Sequence, residues 1–316
     1  MLARLQQLIT LALLALALGW FAYFASSSSE VAVAGVLVIA FAYSGLFALE
    51  LLLAGIVNRQ DSAPPPTRRE LFSAWWGESL ASPLVFFWRQ PFRAQAIPDS
   101  LTPASVVTGR RGVVFVHGFF CNRGFWNPWL HRLQAQGRAY VAVSLEPVFA
   151  SIDDYTTQID TAVDQVTRAT GMPPLVVCHS MGGLVIRAWL KIARSEARVH
   201  HIVTIGTPHH GTWLARFGLG KNALQMRLLS DWHVQLDLGM PAHRHGLFTC
   251  WFSNADNIVF PASTATLPGA NNRLIRGAGH VQMAFLPVVM KTTLGLLTVD
   301  FDMYNRVTCV SSKDGD

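Results

Sequence analysis

The sequence predicts an α/β fold, with a mostly parallel sheet, helices on both faces and a cap insertion, preceded by an N-terminal transmembrane helical hairpin. Two observations predict it. Beyond Pro98, short β-branched runs alternate with helical stretches, a pattern typical of a parallel sheet covered on both faces. Before it, Leu5 to Ala25 and Val31 to Val57 form two long apolar stretches. The interval 209–246 interrupts the alternation, and we interpret it as a cap.

The predicted elements follow from the period of the apolar residues. The strands are expected at Val113–Val116, Tyr140–Leu145, Leu175–Cys178, His201–Ile205, Phe248–Phe252 and Arg273–Ile275. Helices are expected at Ile152–Ala169 and Leu184–Ala193, with a final helix over Val281–Leu297.

The two apolar stretches are each long enough to cross a hydrocarbon core of about 30 Å. The second contains Glu50 as its only ionisable residue, which we place near the lipid boundary or within the helix pair. Hydrophobic residues make up 51% of the chain and charged residues 14%, more apolar than is usual for a soluble enzyme. A cleaved signal peptide and two buried soluble helices are the alternatives, although no clean A-x-A cleavage site follows the first stretch.

The basic residues predict an orientation in the membrane. Arg4, Arg59, Arg68 and Arg69 flank the two stretches on one side, whereas the short connection has no Lys or Arg. The positive-inside rule therefore places the part of the chain after these stretches on the cytoplasmic face of a bacterial inner membrane, while a cleaved signal would export it. The net charge of +6 fits anionic lipid as a partner and not nucleic acid, because the basic residues form no run and interleave with no stacking aromatics.

Three parts are expected along the chain: two transmembrane helices over 1–57, a proline-rich linker and an aromatic helix over 58–97, and a catalytic domain over 98–316. Because every candidate catalytic group lies in the last part, we expect residues 1–57 to act only as an anchor. Residues 71–92 carry tryptophan and phenylalanine between polar residues. They suit a helix at the membrane interface or a helix packed on the core, and both interpretations stay open.

Ser180 is the candidate nucleophile. It follows the predicted strand Leu175–Cys178 and precedes Met181, two glycines and a helical pattern. This arrangement holds a serine on a sharp strand-to-helix turn, with its hydroxyl above the sheet. The alternative, a serine that only caps the helix, leaves the other candidate residues unexplained.

The loop after Val113–Val116 is expected to supply part of an oxyanion hole. It begins with His117 and Gly118, and the N–H of Phe119 can point towards the nucleophile together with the N–H of Met181. We interpret His117 as a structural residue of this loop and not as the catalytic base.

Asp256 and His280 complete a possible triad. Asp256 follows an apolar strand, and His280 lies in a glycine-rich loop before the last predicted helix. In such a triad the histidine takes the serine proton, and the carboxylate orients the imidazole. Asp231 and Asp237, both in the predicted cap, are the alternative acids.

At these motifs the chain resembles the bacterial lipase and esterase branch of the α/β-hydrolase superfamily. The similarity runs from about residue 110 to about residue 290 and includes the His117-Gly118 loop, the residues around Ser180, Asp256 and His280. It extends to the segment Gly206-Thr207-Pro208-His209-His210-Gly211. Cys178 stands where the family has glycine. The resemblance implies a serine hydrolase.

The remaining candidate groups predict no metal site and no cofactor. His209 and His210 are expected to border the mouth of the site and to bond to nearby backbone. The cysteines have no metal-ligand spacing and are expected to be free thiols; they are Cys121, Cys178, Cys250 and Cys309.

The leading hypothesis is a carboxylic-ester hydrolase, an esterase or lipase, acting on small-molecule or lipid esters with hydrophobic acyl groups. An acyltransferase or thioesterase with the same triad is one alternative, because a different acceptor is enough to change the reaction. A membrane-anchored scaffold without catalytic activity is the other.

Overall fold

The computed structural model describes residues 1–102, 109–193 and 196–298. Six strands form its central sheet: β1 (Val113–Val116), β2 (Tyr140–Ala142), β3 (Leu175–His179), β4 (His201–Ile205), β5 (Phe248–Ser253) and β6 (Asn271–Ile275). The spatial order is β2-β1-β3-β4-β5-β6, and every neighbouring pair is parallel. Strands β1 to β5 are buried along their whole length, as expected when helices cover both faces.

The α-helices are α1 (Leu2–Phe24), α2 (Ser29–Val57), α3 (Arg68–Pro83), α4 (Gln90–Phe92), α5 (Asn127–Ala135), α6 (Thr156–Thr170), α7 (Gly182–Ala193), α8 (Lys221–Gln225), α9 (Asp231–Leu238), α10 (His280–Met283) and α11 (Pro287–Gly295). A π-helical turn, Leu84–Arg89, joins α3 to α4.

Strand β1 shows how the two layers of helices share the sheet. Val114 and Val116 belong to a core with residues of α6 and α7, whereas Val113 and Phe115 belong to a second core with residues of α5 and α11. Alternate side chains of a strand point to opposite faces, so two separate apolar cores hold the helices. The predicted α/β fold with helices on both faces is confirmed.

The predicted final helix is wrong in one respect. Val281–Leu297 is not one helix but two, α10 and α11, with a break before Pro287. Proline lacks an N–H and therefore interrupts a helix, but it is well suited to the first turn, where it begins α11. The short helix α10 starts at His280 itself.

The interval interpreted as a cap is helical. It contains α8, α9 and two 3₁₀ turns, Trp213–Phe217 and Ala242–Leu247. A carboxylate oxygen of Asp237 in α9 accepts a hydrogen bond from the guanidinium of Arg187, which is fully buried in α7. This ion pair fixes the interval to the helix that follows Ser180.

The N-terminal helices α1 and α2 pack against each other as a hairpin, and both are long and apolar enough to cross a membrane. The most apolar segments of both helices are almost entirely exposed, with 0% of the one in α1 and 6% of the one in α2 buried. Their ends nevertheless contact the rest of the chain. Gln6 donates to the carbonyl of Phe120 at 3.3 Å, and Asn58 donates to the carbonyl of Asn254 at 3.3 Å. The division at residues 57 and 97 stays a prediction, and contacts cross both boundaries.

The predicted aromatic helix has two faces of different character. Residues such as Ala74 and Val85 are buried on the inner face, and Trp75 donates to the carbonyl of Ser44 in α2 at 2.9 Å. The outer face carries apolar side chains four residues apart that are 40–62% exposed, namely Phe72, Trp76, Leu80, Leu84, Trp88 and Phe92. The helix is therefore packed on the core on one side and apolar towards the outside on the other.

Candidate active site

Ser180 lies on the sharp turn between β3 and α7. Its backbone has a φ of 53°, in the left-handed region that non-glycine residues rarely adopt. The turn is held from both sides, because the N–H of Ser180 donates to the carbonyl of Ile205 at 2.9 Å and the hydroxyl of Thr207 donates to the carbonyl of Ser180 at 2.8 Å. Backbone strain maintained in this way is common at functional sites.

The loop after β1 approaches this turn closely. A Cβ atom at Gly118 would lie 2.7 Å from the Cβ of Ser180, so only glycine fits there. Within the described part of the chain, the N–H groups of Phe119 and Met181 have no hydrogen-bond acceptor. Two backbone donors beside a serine hydroxyl are therefore free to bind an oxygen atom of a ligand.

His117 stabilises the loop, as the sequence predicts. Its Nε2 accepts the N–H of Leu145 at 3.0 Å, and its Nδ1 lies 2.8 Å from the carbonyl of Gly118. Burial lowers the pKa of His117 to about 4, so the ring is neutral at physiological pH.

Asp256 and His280 form a buried pair at the carboxyl end of the sheet. The Nδ1–H of His280 donates to Oδ2 of Asp256 at 2.9 Å. The second carboxylate oxygen accepts the N–H groups of Ile258 and Val259, both at 2.8 Å, which fixes the carboxylate. A Cβ at Gly206, where φ is 59°, would lie 3.1 Å from the imidazole, so this glycine leaves room for the pair.

The electrostatics favour a basic imidazole. Burial by itself lowers the pKa of His280, but the carboxylates of Asp256, Glu78 and Glu50 more than offset this and raise it above its ordinary value. The neighbouring ring of His179 has its centroid 4.6 Å away, and burial holds the pKa of His179 far below its ordinary value. His280 therefore faces carboxylates and one neutral ring.

Two adjoining cavities open on Ser180, and Phe119 lines both. One, of about 190 Å³, lies under the cap interval and is lined by residues such as Leu214 and Met226. The other, of about 170 Å³, contains His280 and is closed by Phe47 of α2 and Phe86 of the π turn. Aliphatic and aromatic side chains thus enclose the serine on two sides, one of them formed by the hairpin.

The alternative acids are not at this site. Asp231 is exposed at the start of α9, and Asp237 is engaged by Arg187. The expectation that His209 borders the mouth of the site is wrong, because its ring is buried and lies 3.0 Å from the hydroxyl of Thr204. His210 is partly exposed and lies 3.7 Å from Asp237.

Across residues 1–102, 109–193 and 196–298, no group of three His, Cys, Asp or Glu side chains is placed to hold a metal ion. Cys121, Cys178 and Cys250 are buried free thiols, and Cys309 lies outside the described residues.

Three polar residues at the site escaped the sequence reasoning. Asn257 accepts the backbone N–H of His280 at 3.0 Å, Glu78 binds the segment after His280, and Glu50 binds Asn257. For Glu50 a signal existed, since it is the single charge in an apolar stretch. For Glu78 the sequence offers none, because a carboxylate on an amphipathic helix usually faces water.

Comparisons with known proteins agree on the fold. A model of the alpha/beta hydrolase family matches residues 113–288. A mature lipase from Bacillus licheniformis superposes with a TM-score of 0.51 at 17% identity, over 61% of this chain and 94% of that one. Lipase B from Aspergillus fumigatus superposes with a TM-score of 0.53 at 18% identity, over 63% of this chain and 55% of that one. A sequence comparison with curated proteins gives no match.

The close approach of the loop to Ser180 predicts the effect of Gly118→Ala. The added methyl group pushes the loop away and moves the N–H of Phe119, so Ser180 should react with a fluorophosphonate probe about 10²-fold more slowly. The control is Gly246→Ala, where an added Cβ meets nothing within 4 Å. Equal labelling rates in the two variants would contradict the placement of the loop.

Proposed function

The chain belongs to the alpha/beta hydrolase family, and we propose that it is a serine carboxylic-ester hydrolase that works through an acyl-enzyme. The observation that carries the proposal is the buried Asp256–His280 pair, whose imidazole lines the same cavity as Ser180. Free backbone N–H groups beside the serine support it.

The proposed reaction needs only groups of this site. The Nε2 of His280 takes the proton of the Ser180 hydroxyl while its oxygen bonds to the ester carbon, and the N–H groups of Phe119 and Met181 stabilise the oxyanion. The imidazolium then returns the proton to the departing alcohol. Water then attacks the acyl-enzyme with His280 again as the base, and the bond to Ser180 breaks to release the carboxylic acid. Asp256 keeps the imidazole in the tautomer that accepts at Nε2 and stabilises its charged form.

Hydrophobic acyl esters are the proposed substrates. Both cavities at Ser180 are lined mainly by apolar side chains, among them Phe119, which can contact an acyl chain on either side. Phe47 brings the apolar hairpin to the edge of the site. A membrane lipid ester fits this arrangement, because its acyl chain need not pass through water.

We further propose that the hairpin anchors the enzyme in a membrane, with the outer face of α3 in the interface. Counting from the connection between α1 and α2, the first hydrogen bonds to the rest of the described chain are made by Gln7 in α1 and Tyr43 in α2. Between that connection and these residues the two helices run for about 25 Å and about 20 Å, at 1.5 Å per residue. A hydrocarbon core is about 30 Å thick, which is more than either length. When the hairpin spans the core, the exposed aromatic side chains on the outer face of α3 therefore reach lipid.

The triad predicts three mutational effects. Ser180→Ala should remove nearly all ester hydrolysis, and Asp256→Asn should lower turnover by about 10⁴-fold because the imidazole loses its orientation. Asp231→Asn is the control, since that carboxylate is exposed. Initial rates on a soluble short-chain ester measure all three. Substantial hydrolysis by purified Ser180→Ala protein would contradict the mechanism.

Protease added to spheroplasts tests on which side of the membrane the catalytic part lies. Arg4, Arg59, Arg68 and Arg69 lie at one end of the hairpin, so the catalytic part should be cytoplasmic and protected from added protease. Lysed spheroplasts are the control, in which cleavage is expected. Rapid cleavage in intact spheroplasts would indicate export, as a cleaved signal peptide would produce.

The aromatic face predicts a difference between two substrates. The double variant Trp76→Ser with Trp88→Ser should hydrolyse a diacylglycerol ester in vesicles several-fold more slowly, because each indole stabilises interfacial binding. Its rate on a soluble short-chain ester should equal that of the parent. Leu238→Ser in α9 is the exposed control. An equal loss on both substrates would point to a structural role for the two indoles.

A further inference from the structure

Glu78 of α3 is a buried carboxylate beside His280, and both residues line the cavity that opens on Ser180. The side chain of Glu78 is 1% exposed, and its oxygens accept the N–H of Val281 at 3.0 and 3.1 Å and that of Gln282 at 3.0 Å. The hydroxyl of Ser82 donates to the same carboxylate at 2.8 Å. Burial raises the pKa of Glu78, and these partners oppose that shift, because all of them are donors and favour the ionised form. The carboxylate therefore binds the first turn of α10, whose first residue is His280.

Glu50 of α2 reaches the same segment by a second route. Its Oε2 accepts the side-chain N–H of Asn257 at 2.7 Å, and the side-chain oxygen of Asn257 accepts the backbone N–H of His280 at 3.0 Å. Asn257 directly follows Asp256, so this contact holds both members of the pair. A partly buried carboxylate needs a hydrogen-bond partner, and Asn257 supplies one to Glu50.

We propose that Glu50 and Glu78 are positioning residues for His280, which makes the hairpin and the aromatic helix parts of the catalytic site. The inference rests on the proposed function, since His280 has a geometry to maintain only if it is the base for Ser180. Both glutamates lie outside residues 113–288, the region matched by the family model. The prediction that residues 1–57 act only as an anchor then no longer holds.

The two glutamates also change the charge around the imidazole. The ionisable groups that face His280 are Asp256, Glu78, Glu50 and the neutral ring of His179. Both positioning carboxylates favour the imidazolium that forms during proton transfer. Removing the charge of Glu78 therefore lowers the pKa of His280. Because the neutral imidazole is the base, the acid limb of the rate profile should move to lower pH.

The test uses the full chain in detergent and a soluble short-chain ester. Glu78→Gln replaces one accepting oxygen by a donor, so turnover should fall by about 10-fold to 10²-fold with little change in KM. The acid limb of kcat/KM should move to lower pH by about half a unit, because the Glu78 charge no longer raises the pKa of His280.

The Glu50 variants test the hydrogen bond to Asn257. Glu50→Gln keeps an acceptor for Asn257 and should retain most of the turnover, whereas Glu50→Leu removes the acceptor and should lower turnover. Glu30→Gln is the matched control, because Glu30 is exposed in the first turn of the same helix. It should behave as the parent.

The outcomes distinguish this inference from the proposed function. If Glu78→Gln and Glu50→Leu keep the turnover and pH profile of the parent while Ser180→Ala is inactive, the positioning role is wrong and the triad stands. If Ser180→Ala is as active as the parent, the proposed function itself fails.

A loss of folding is covered by a double-mutant cycle. Should Glu78→Gln unfold, Glu50→Leu and Asn257→Ala are combined, because the two residues are expected to act in series. Turnover of the double variant should then equal that of whichever single variant has the lower turnover. Additive losses would overturn the route through Asn257.

Discussion

The surrounding residues of the site stabilise one buried hydrogen bond, from the imidazole of His280 to the carboxylate of Asp256. Two ionisable side chains inside an apolar core are costly unless every remaining polar atom finds a partner. The neighbouring backbone supplies donors to Asp256, Asn257 binds the backbone of His280, and Gly206 leaves the pair its space. The pair exists because three loops at the carboxyl ends of parallel strands meet there.

The same requirement explains why the N-terminal helices approach the site. Helix α10 is only one turn long, and a short helix has little stability of its own. Its first N–H groups need acceptors, and Glu78 provides them from α3. Glu50 acts through Asn257, in the loop after β5, which accepts the N–H of His280. A histidine that follows a glycine-rich connection is thereby bound by two helices that lie outside the region matched by the family model.

The proposed membrane anchor and the proposed catalytic site share the same helices. The helices proposed to span and contact lipid also close one of the two cavities at Ser180, through Phe47 and Phe86. An ester that leaves the bilayer along the hairpin would meet the serine within the same apolar surface. In this arrangement anchoring and substrate delivery depend on the same helices.

The sequence by itself determined the sheet, the turn at Ser180 and the chain order of the candidate triad. Each is indicated by residues close together in the chain, such as the β-branched runs and a serine shortly before two glycines. It also predicted two apolar helices, because length and composition are enough for that. It did not predict that the last helix would break at Pro287 or that His209 would be buried.

The tertiary structure decided which carboxylate meets His280, and which residues surround it. Asp231, Asp237 and Asp256 are equivalent as residue types, and only the packing of the chain brings one of them to the imidazole. Glu50 and Glu78 lie more than two hundred residues from the segment they bind. Contacts of that kind leave no periodic trace in a sequence, because they arise only when distant helices pack on the completed sheet.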